Sequence, residues 1–270
     1  MSDRYQRRFQ RLQESQTRAF MPFTMLGWPD RARCLDTIDM MIKSGAAALE
    51  LGMAFSDPVA DGPVIQKAAF ETLEQGFSVH DAFALLKDVR AIDADIPIGI
   101  LVYYNVVLAQ GIDRFFQQAK DAGIDGVLVA DLPVEAADEV LPAAEKHGIN
   151  LIFIVSPVTT KTRLKEIVAK ASGFLYLVSR LGVTGTDKKT EMYKELTELV
   201  GEIKEQSQIP VCAGFGISDG ASAAAMLKTG VDGVIIGSRV IEIVGTSGVD
   251  GLKDLFAEVS AVLKPERLGV

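Results

Sequence analysis

Two kinds of hydrophobic pattern alternate along the chain. Short runs at 19–26, 47–51, 97–103, 127–130, 149–154, 174–178, 210–213 and 234–236 are apolar nearly throughout. That is how strands read when helices cover both faces of a parallel sheet. Longer amphipathic stretches between them predict helices near 30–43, 78–91, 111–122, 135–147, 160–171, 190–206, 218–229 and 251–263. The junctions repeat a theme of helix end, small residue, glycine, then strand. Examples are Lys43-Ser44-Gly45, Asp121-Ala122-Gly123-Ile124-Asp125-Gly126, Lys146-His147-Gly148, Ala171-Ser172-Gly173 and Lys228-Thr229-Gly230-Val231-Asp232-Gly233. Glycine there suits the left-handed residue that closes a helix. Alternation of this kind builds an open doubly wound sheet or a closed barrel. Eight units in 270 residues favour the (β/α)8 TIM barrel, read as one domain over 1–270. An extra N-terminal helix is expected near 3–14, and an inserted helix at 63–75 after the second strand.

Composition narrows the class. Hydrophobic residues make up 48%, enough for a large core, and formal net charge is −8 with no Lys/Arg-rich block. Nucleic acid and anionic membrane surfaces are therefore poor partners. Cys34 and Cys212 lie far apart and fit no ligand spacing, as in a reduced cytoplasmic protein. The first sixteen residues lack the apolar core of a signal peptide, and no run approaches the ~18 residues of a membrane span.

In such a barrel the chemistry gathers at the C-terminal ends of the strands. The second strand carries Glu50 inside an apolar run, and its Pro/Gly-punctuated loop carries Asp61. A carboxylate buried without a partner costs several kcal/mol, and the usual escape is an upward pKa shift suited to proton transfer near neutral pH. The bland alternative is a buried Glu paired with an Arg. At the last two strand ends, Gly214-Phe215-Gly216-Ile217-Ser218 and Gly237-Ser238 each end a strand and open a helix. Paired in adjacent final units, they form the phosphate-site pattern of this architecture. The two histidines, His80 and His147, fall in helical segments, and no Lys stands at a strand end. A His-based metal site, an imine-forming Lys and a Ser or Cys nucleophile with a His base are all disfavoured. A phosphate grip facing two carboxylates fits carbon–carbon cleavage by proton transfer, and isomerisation by proton shuttling almost as well.

The motifs themselves resemble a known family. Leu49-Glu50-Leu51-Gly52, Phe55-Ser56-Asp57-Pro58 and Ala60-Asp61-Gly62-Pro63-Val64-Ile65-Gln66 are similar to the characteristic block of tryptophan synthase alpha chains. Asp125-Gly126-Val127-Leu128-Val129-Ala130-Asp131-Leu132-Pro133, Ser179-Arg180-Leu181-Gly182-Val183-Thr184-Gly185 and Gly214-Phe215-Gly216-Ile217-Ser218 follow in the family's order. The resemblance spans about 3–245; Trp28 stands where many members carry Asp.

The resemblance implies a lyase of L-tryptophan biosynthesis. It would cleave indole-3-glycerol phosphate to indole and D-glyceraldehyde 3-phosphate by a retro-aldol reaction. Glu50 would be the acid–base residue at indole C3 and the glycerol hydroxyl, and Asp61 the counter-charge at the indole N–H. Phe23, Leu101, Ala130, Ile154 and Phe215 would wall the indole, with Tyr103 and Tyr176 lining the cavity. Gly185, Gly214, Gly216, Gly237 and Ser238 would hold the phosphate. Thr184 would reach Asp61 when a lid at 180–189 closes. No cofactor is expected in this chain; pyridoxal phosphate belongs to a partner beta chain in an α2β2 heterotetramer, with loops 54–58, 105–110 and 131–135 supplying the docking surface. Phe55, Pro58, Val106, Val107, Leu108, Leu132, Pro133 and Val134 are its apolar side chains. Other phosphate-binding barrel enzymes would need a strand-end Lys or His. A stand-alone indole-releasing lyase and a ligand-sensing regulatory subunit are the remaining alternatives.

Overall fold

The computed structural model describes residues 3–178 and 186–264. Eight strands, β1 (Ala19–Met25), β2 (Leu49–Gly52), β3 (Ile98–Val102), β4 (Gly126–Val129), β5 (Asn150–Val155), β6 (Leu175–Val178), β7 (Val211–Gly214) and β8 (Gly233–Ile236), close into a barrel in sequence order. Every neighbouring pair is parallel, and β8 returns to β1 with Ala19 opposite Gly233. The expected (β/α)8 TIM barrel is the observed fold.

The helices are α1 (Arg4–Glu14), α2 (Arg31–Lys43), α3 (Pro63–Glu74), α4 (Val79–Ile92), α5 (Tyr104–Gln110), α6 (Ile112–Asp121), α7 (Leu141–His147), α8 (Lys161–Lys170), α9 (Thr186–Gln206), α10 (Gly220–Leu227), α11 (Ser238–Ser247) and α12 (Leu252–Val262). α1 is the expected N-terminal helix and α3 the expected insertion after β2. Two helices go beyond the pattern's list: α5, directly after β3, and α11, directly after β8. The helix expected over 135–147 is two pieces, a 3₁₀ segment Val134–Glu139 and α7, with Pro142 in the first turn of the latter. Proline is at home there because its missing N–H has no intrahelical partner to lose.

The alternation of β-strand side chains sorts the core into two layers. One apolar cluster, with Phe20, Leu49, Leu51, Val127, Leu175 and Val234, lies between sheet and helices. The other, with Ala19, Met21, Leu128, Ile152, Phe174, Tyr176, Cys212 and Ile235, fills the barrel interior. α1 plugs the N-terminal end. Its Tyr5 is fully buried, and side chains at Gly99 or Gly126 would meet it at 2.5 and 3.0 Å. The plug therefore requires those two positions to stay bare. Two matching acids brace the same end. The Asp125 carboxylate accepts the Ile98 N–H and both Arg4 and Arg90 at 2.8 Å. That of Asp232 accepts the Val211 N–H at 2.9 Å and pairs with Arg18 and Lys204. The recurrent Asp-Gly at 125–126 and 232–233 is this brace, so the bottom is built for stability and the opposite end is left for chemistry.

Candidate active site

At the open end, β2 holds Glu50 between Phe23 of β1 and Gly99 of β3. Leu49 and Leu51 face the helix layer, so Glu50 faces the interior, 5% exposed. Among the described residues no Lys or Arg pairs with it, so none of them supports the bland ion-pair reading. Burial pushes its carboxyl up to about 8, and the neighbouring Asp61 charge adds to the rise.

Asp61 sits two residues before α3. Burial raises it to about 6, while a hydrogen bond from the Tyr103 hydroxyl, at 3.1 Å, opposes the rise. The same hydroxyl accepts the Ala60 N–H at 3.0 Å, and the Tyr103 ring stacks on Phe55 with centroids 5.2 Å apart. Gln66 of α3 donates to the Asp61 carbonyl at 2.9 Å. Tyr103 thus pins the loop after β2 to the end of β3, a role beyond the expected cavity lining. Between about pH 6 and 8 the site holds a protonated Glu50 facing an ionised Asp61. Two carboxyls whose environments separate their pKa values are suited to unlike tasks.

Around this pair the barrel brings together the expected apolar wall. Leu101, Ala130, Ile154 and Phe215 pack on the interior cluster that contains Tyr176. Phe23 fills the mouth between β2 and β8, since a Cβ at Gly52 would strike its ring at 2.7 Å and one at Gly237 would crowd it at 3.1 Å. Gly214 must be bare for another reason: a Cβ there would stand 2.0 Å from the Tyr176 hydroxyl oxygen. The Tyr176 ring meets Phe215 edge-on at 6.1 Å.

The last two strand ends differ in what they offer an anion. Phe215 and Gly216 are both left-handed, at φ 69° and 72°. After them, the α10 start is already occupied: Asp219 caps it and accepts the Ser222 N–H. The α11 start is free of a side-chain cap, with Gly237 as N-cap and exposed Ser238 as first residue. The open helix N-terminus, with its unpaired N–H groups and favourable dipole, is the better anion seat. Thr184, Gly185 and the expected lid at 180–189 lie outside the described residues, except for the start of α9.

Docking residues are redistributed. Val106 and Val107 of α5 are buried, and Pro58, Leu132 and Val134 are also buried. They serve the core; α5 turns Val106 and Val107 inward and the 3₁₀ segment does the same with Val134. Among the described residues, Val59 (81% exposed), Leu108 (45%), Val158 (62%) and Pro133 are exposed apolar groups on this rim. A cavity of about 870 Å³ lies at the other end of the barrel, lined by residues such as Gln6, Gln13, Asn150 and Lys204. It contains none of the candidate residues. Among the described residues no cluster of three or more His, Cys, Asp or Glu is placed to hold a metal, and no helix is long and apolar enough to cross a membrane.

Sequence and structure comparisons agree on one relationship. The family model for the tryptophan synthase alpha chain matches residues 9–264. The tryptophan synthase alpha chain of Photobacterium profundum is 40% identical over 268 residues, covering 97% of this chain and 99% of that one. That of Shewanella oneidensis is 43% identical over 256 residues, covering 95% and 91%. Among solved structures, tryptophan synthase subunit alpha from Legionella pneumophila superimposes with a TM-score of 0.88 at 30% identity, covering 97% of this chain and 99% of the other. A chain of tryptophan synthase from M. tuberculosis, in an aminoacrylate-bound form, gives 0.87 at 30% identity, covering 97% and 100%.

Proposed function

The chain belongs to the tryptophan synthase alpha chain family, and from that premise we propose how its barrel mouth carries the family's reaction. The enzyme is a carbon–carbon lyase of L-tryptophan biosynthesis. It splits indole-3-glycerol phosphate into indole and D-glyceraldehyde 3-phosphate by retro-aldol cleavage.

The glycerol phosphate anchors at the α11 N-terminus, Gly237 and Ser238, with Gly214 and Gly216 alongside and Gly185 from the neighbouring loop. The indole lies against Phe23, Leu101, Ala130, Ile154 and Phe215. Glu50, protonated at neutral pH, gives its proton to indole C3. That step abolishes the aromaticity of the pyrrole ring and places positive charge at nitrogen, where ionised Asp61 is the counter-charge. Glu50, now a carboxylate, takes the proton of the glycerol hydroxyl next to the scissile bond. The C–C bond breaks, its electrons restore the indole, and the hydroxyl carbon leaves as the aldehyde. Tyr176 borders the reacting hydroxyl, Tyr103 holds Asp61, and Thr184 reaches Asp61 from the loop above. The observation that supports this assignment best is the separation of pKa values between buried Glu50, at about 8, and half-buried Asp61, at about 6.

Indole is apolar and small, so direct hand-over has a use. We assign the rim around Leu108, Pro133 and Val158 to a pyridoxal-phosphate beta chain in a cytoplasmic α2β2 assembly. The deciding experiment follows indole release from indole-3-glycerol phosphate. Glu50→Gln keeps shape and loses the proton, and is expected to fall by ~10²–10⁴-fold with substrate affinity largely kept. Turnover above about a tenth of wild type, well short of that range, removes Glu50 from the role.

A further inference from the structure

Trp28 is the sole tryptophan of the chain and is 6% exposed, in the loop after β1. Its Nε1–H donates to Glu71 of α3 at 2.7 Å. The far edge of its ring faces α11: a Cβ added at Gly245 would stand 3.3 Å from Trp28 Cη2. Two further contacts fix the same junction. Gln75, just past α3, donates to the Pro29 carbonyl at 2.7 Å, and the Phe77 ring covers Gly27, whose φ of +84° only glycine adopts easily. One side chain therefore touches both helices that carry the two ends of the site. α3 begins two residues after Asp61. α11 begins at the phosphate seat.

We propose that Trp28 is a positioning residue that sets the spacing between the phosphate seat at α11 and the Asp61 loop ahead of α3, so that anchoring the phosphate aligns the Asp61 carboxylate. The inference rests on the phosphate reading of Gly237 and Ser238. Asp61's loop is held at β3 by Tyr103, but its exit runs straight into α3, and α3 is tied down at Glu71 and Gln75. A substrate clamped at α11 meets Asp61 at the right place only if α3 and α11 keep their separation. Small misplacements of a reacting group cost large factors in rate. Loosening the tie should therefore lower kcat while leaving phosphate binding nearly intact.

The test uses the full chain. Trp28→Phe keeps a ring and loses the donor; Glu71→Leu loses the acceptor from a side chain that is 41% exposed, so it does not depend on tolerance of a core change. Each is expected to lower kcat roughly tenfold with KM within about twofold. The double variant should be no worse than Trp28→Phe alone, because Glu71→Leu removes a bond that the Phe has already lost. Glu71→Gln, whose amide oxygen still accepts, should recover most of the turnover. In wild type the emission of Trp28 should change saturably with glycerol 3-phosphate. Competitive inhibition of cleavage by glycerol 3-phosphate reads the phosphate site independently. Absence of inhibition overturns the phosphate seat and this proposal with it. Inhibition with unchanged Trp28 emission, wild-type kcat in both single variants, or purely additive losses in the double variant overturns the coupling alone.

Discussion

Glu50 is held where ionisation is expensive, and the cost shows in stability as well as in rate. Its carboxyl titrates near 8 in the folded chain against an ordinary 4.5. Between those values the folded state binds a proton that the unfolded state has released. Stability from this group is therefore full below about pH 4.5 and is lost as pH rises through about 8. Asp61, raised from 3.8 to about 6, acts in the same direction over a lower window. Urea midpoints measured across this range should decline with pH in wild type and decline less in Glu50→Gln; parallel curves would show that Glu50 is not the buried titrating group. Tyr103 gives a second residue-scale expectation. Its hydroxyl lowers the Asp61 pKa, so Tyr103→Phe should move the acidic limb of kcat/KM to higher pH. The loss should be larger near pH 6 than near pH 8, and a uniform loss would mean a purely steric effect. Glu50 stood out in the sequence, because an acid inside an apolar run announces itself, whereas Asp61, on a Pro/Gly-punctuated loop, was singled out by the family resemblance. The Tyr103–Asp61 bond was not legible there: its partners stand 42 residues apart. The Trp28–Glu71 bond spans 43. Only the closure of the barrel brings such groups together.

At the scale of elements, the strands were legible and two helices were not, for physical reasons. Strand runs buried on both faces leave a continuous apolar signature that no neighbour has to complete. α5 has seven residues and lies against β3 with no polar break between them, so its Val106 and Val107 look like loop residues offered to a partner. α11, Ser238-Arg239-Val240-Ile241-Glu242-Ile243-Val244-Gly245-Thr246-Ser247, is rich in β-branched residues and carries glycine, which makes it a weak helix on propensity. Packing on β1 and α3 holds it instead. Its uncapped start has a direct consequence. Ser238→Glu places a carboxylate where the substrate phosphate would sit and also suits the helix dipole. Thermal stability should hold or rise slightly while KM for indole-3-glycerol phosphate rises about tenfold or more, the scale of a lost charge-assisted contact of ~1.5–3 kcal/mol. An unchanged KM would move the phosphate away from α11.

For the molecule as a whole, one end of the barrel is braced and the other is left for the candidate site. α1, Tyr5 and the two braced acids Asp125 and Asp232 close the first. In the sequence the Gly-Ile-Asp-Gly and Gly-Val-Asp-Gly repeat read only as a helix-to-strand junction, because the cations that make its aspartates a brace come from distant segments. At the open end the structure separates core from surface where the pattern could not. Val107 is 0% exposed, so a charge there should unfold the chain and say nothing about docking. Leu108 and Val158 are exposed at 45% and 62%, outside the loop that carries Asp61. Solvent-facing apolar side chains grouped on a functional face are candidates for partner contact. Leu108→Glu and Val158→Glu are therefore expected to weaken association with the beta chain from the same source while leaving thermal stability and the basal cleavage of the isolated chain unchanged. Titration with that beta chain, reading complex formation and indole production together, separates the outcomes. Undiminished affinity in the Leu108→Glu, Val158→Glu double variant would place the interface elsewhere on the rim. No complex at micromolar concentrations with the wild-type chain would favour a lyase that releases its indole into solution.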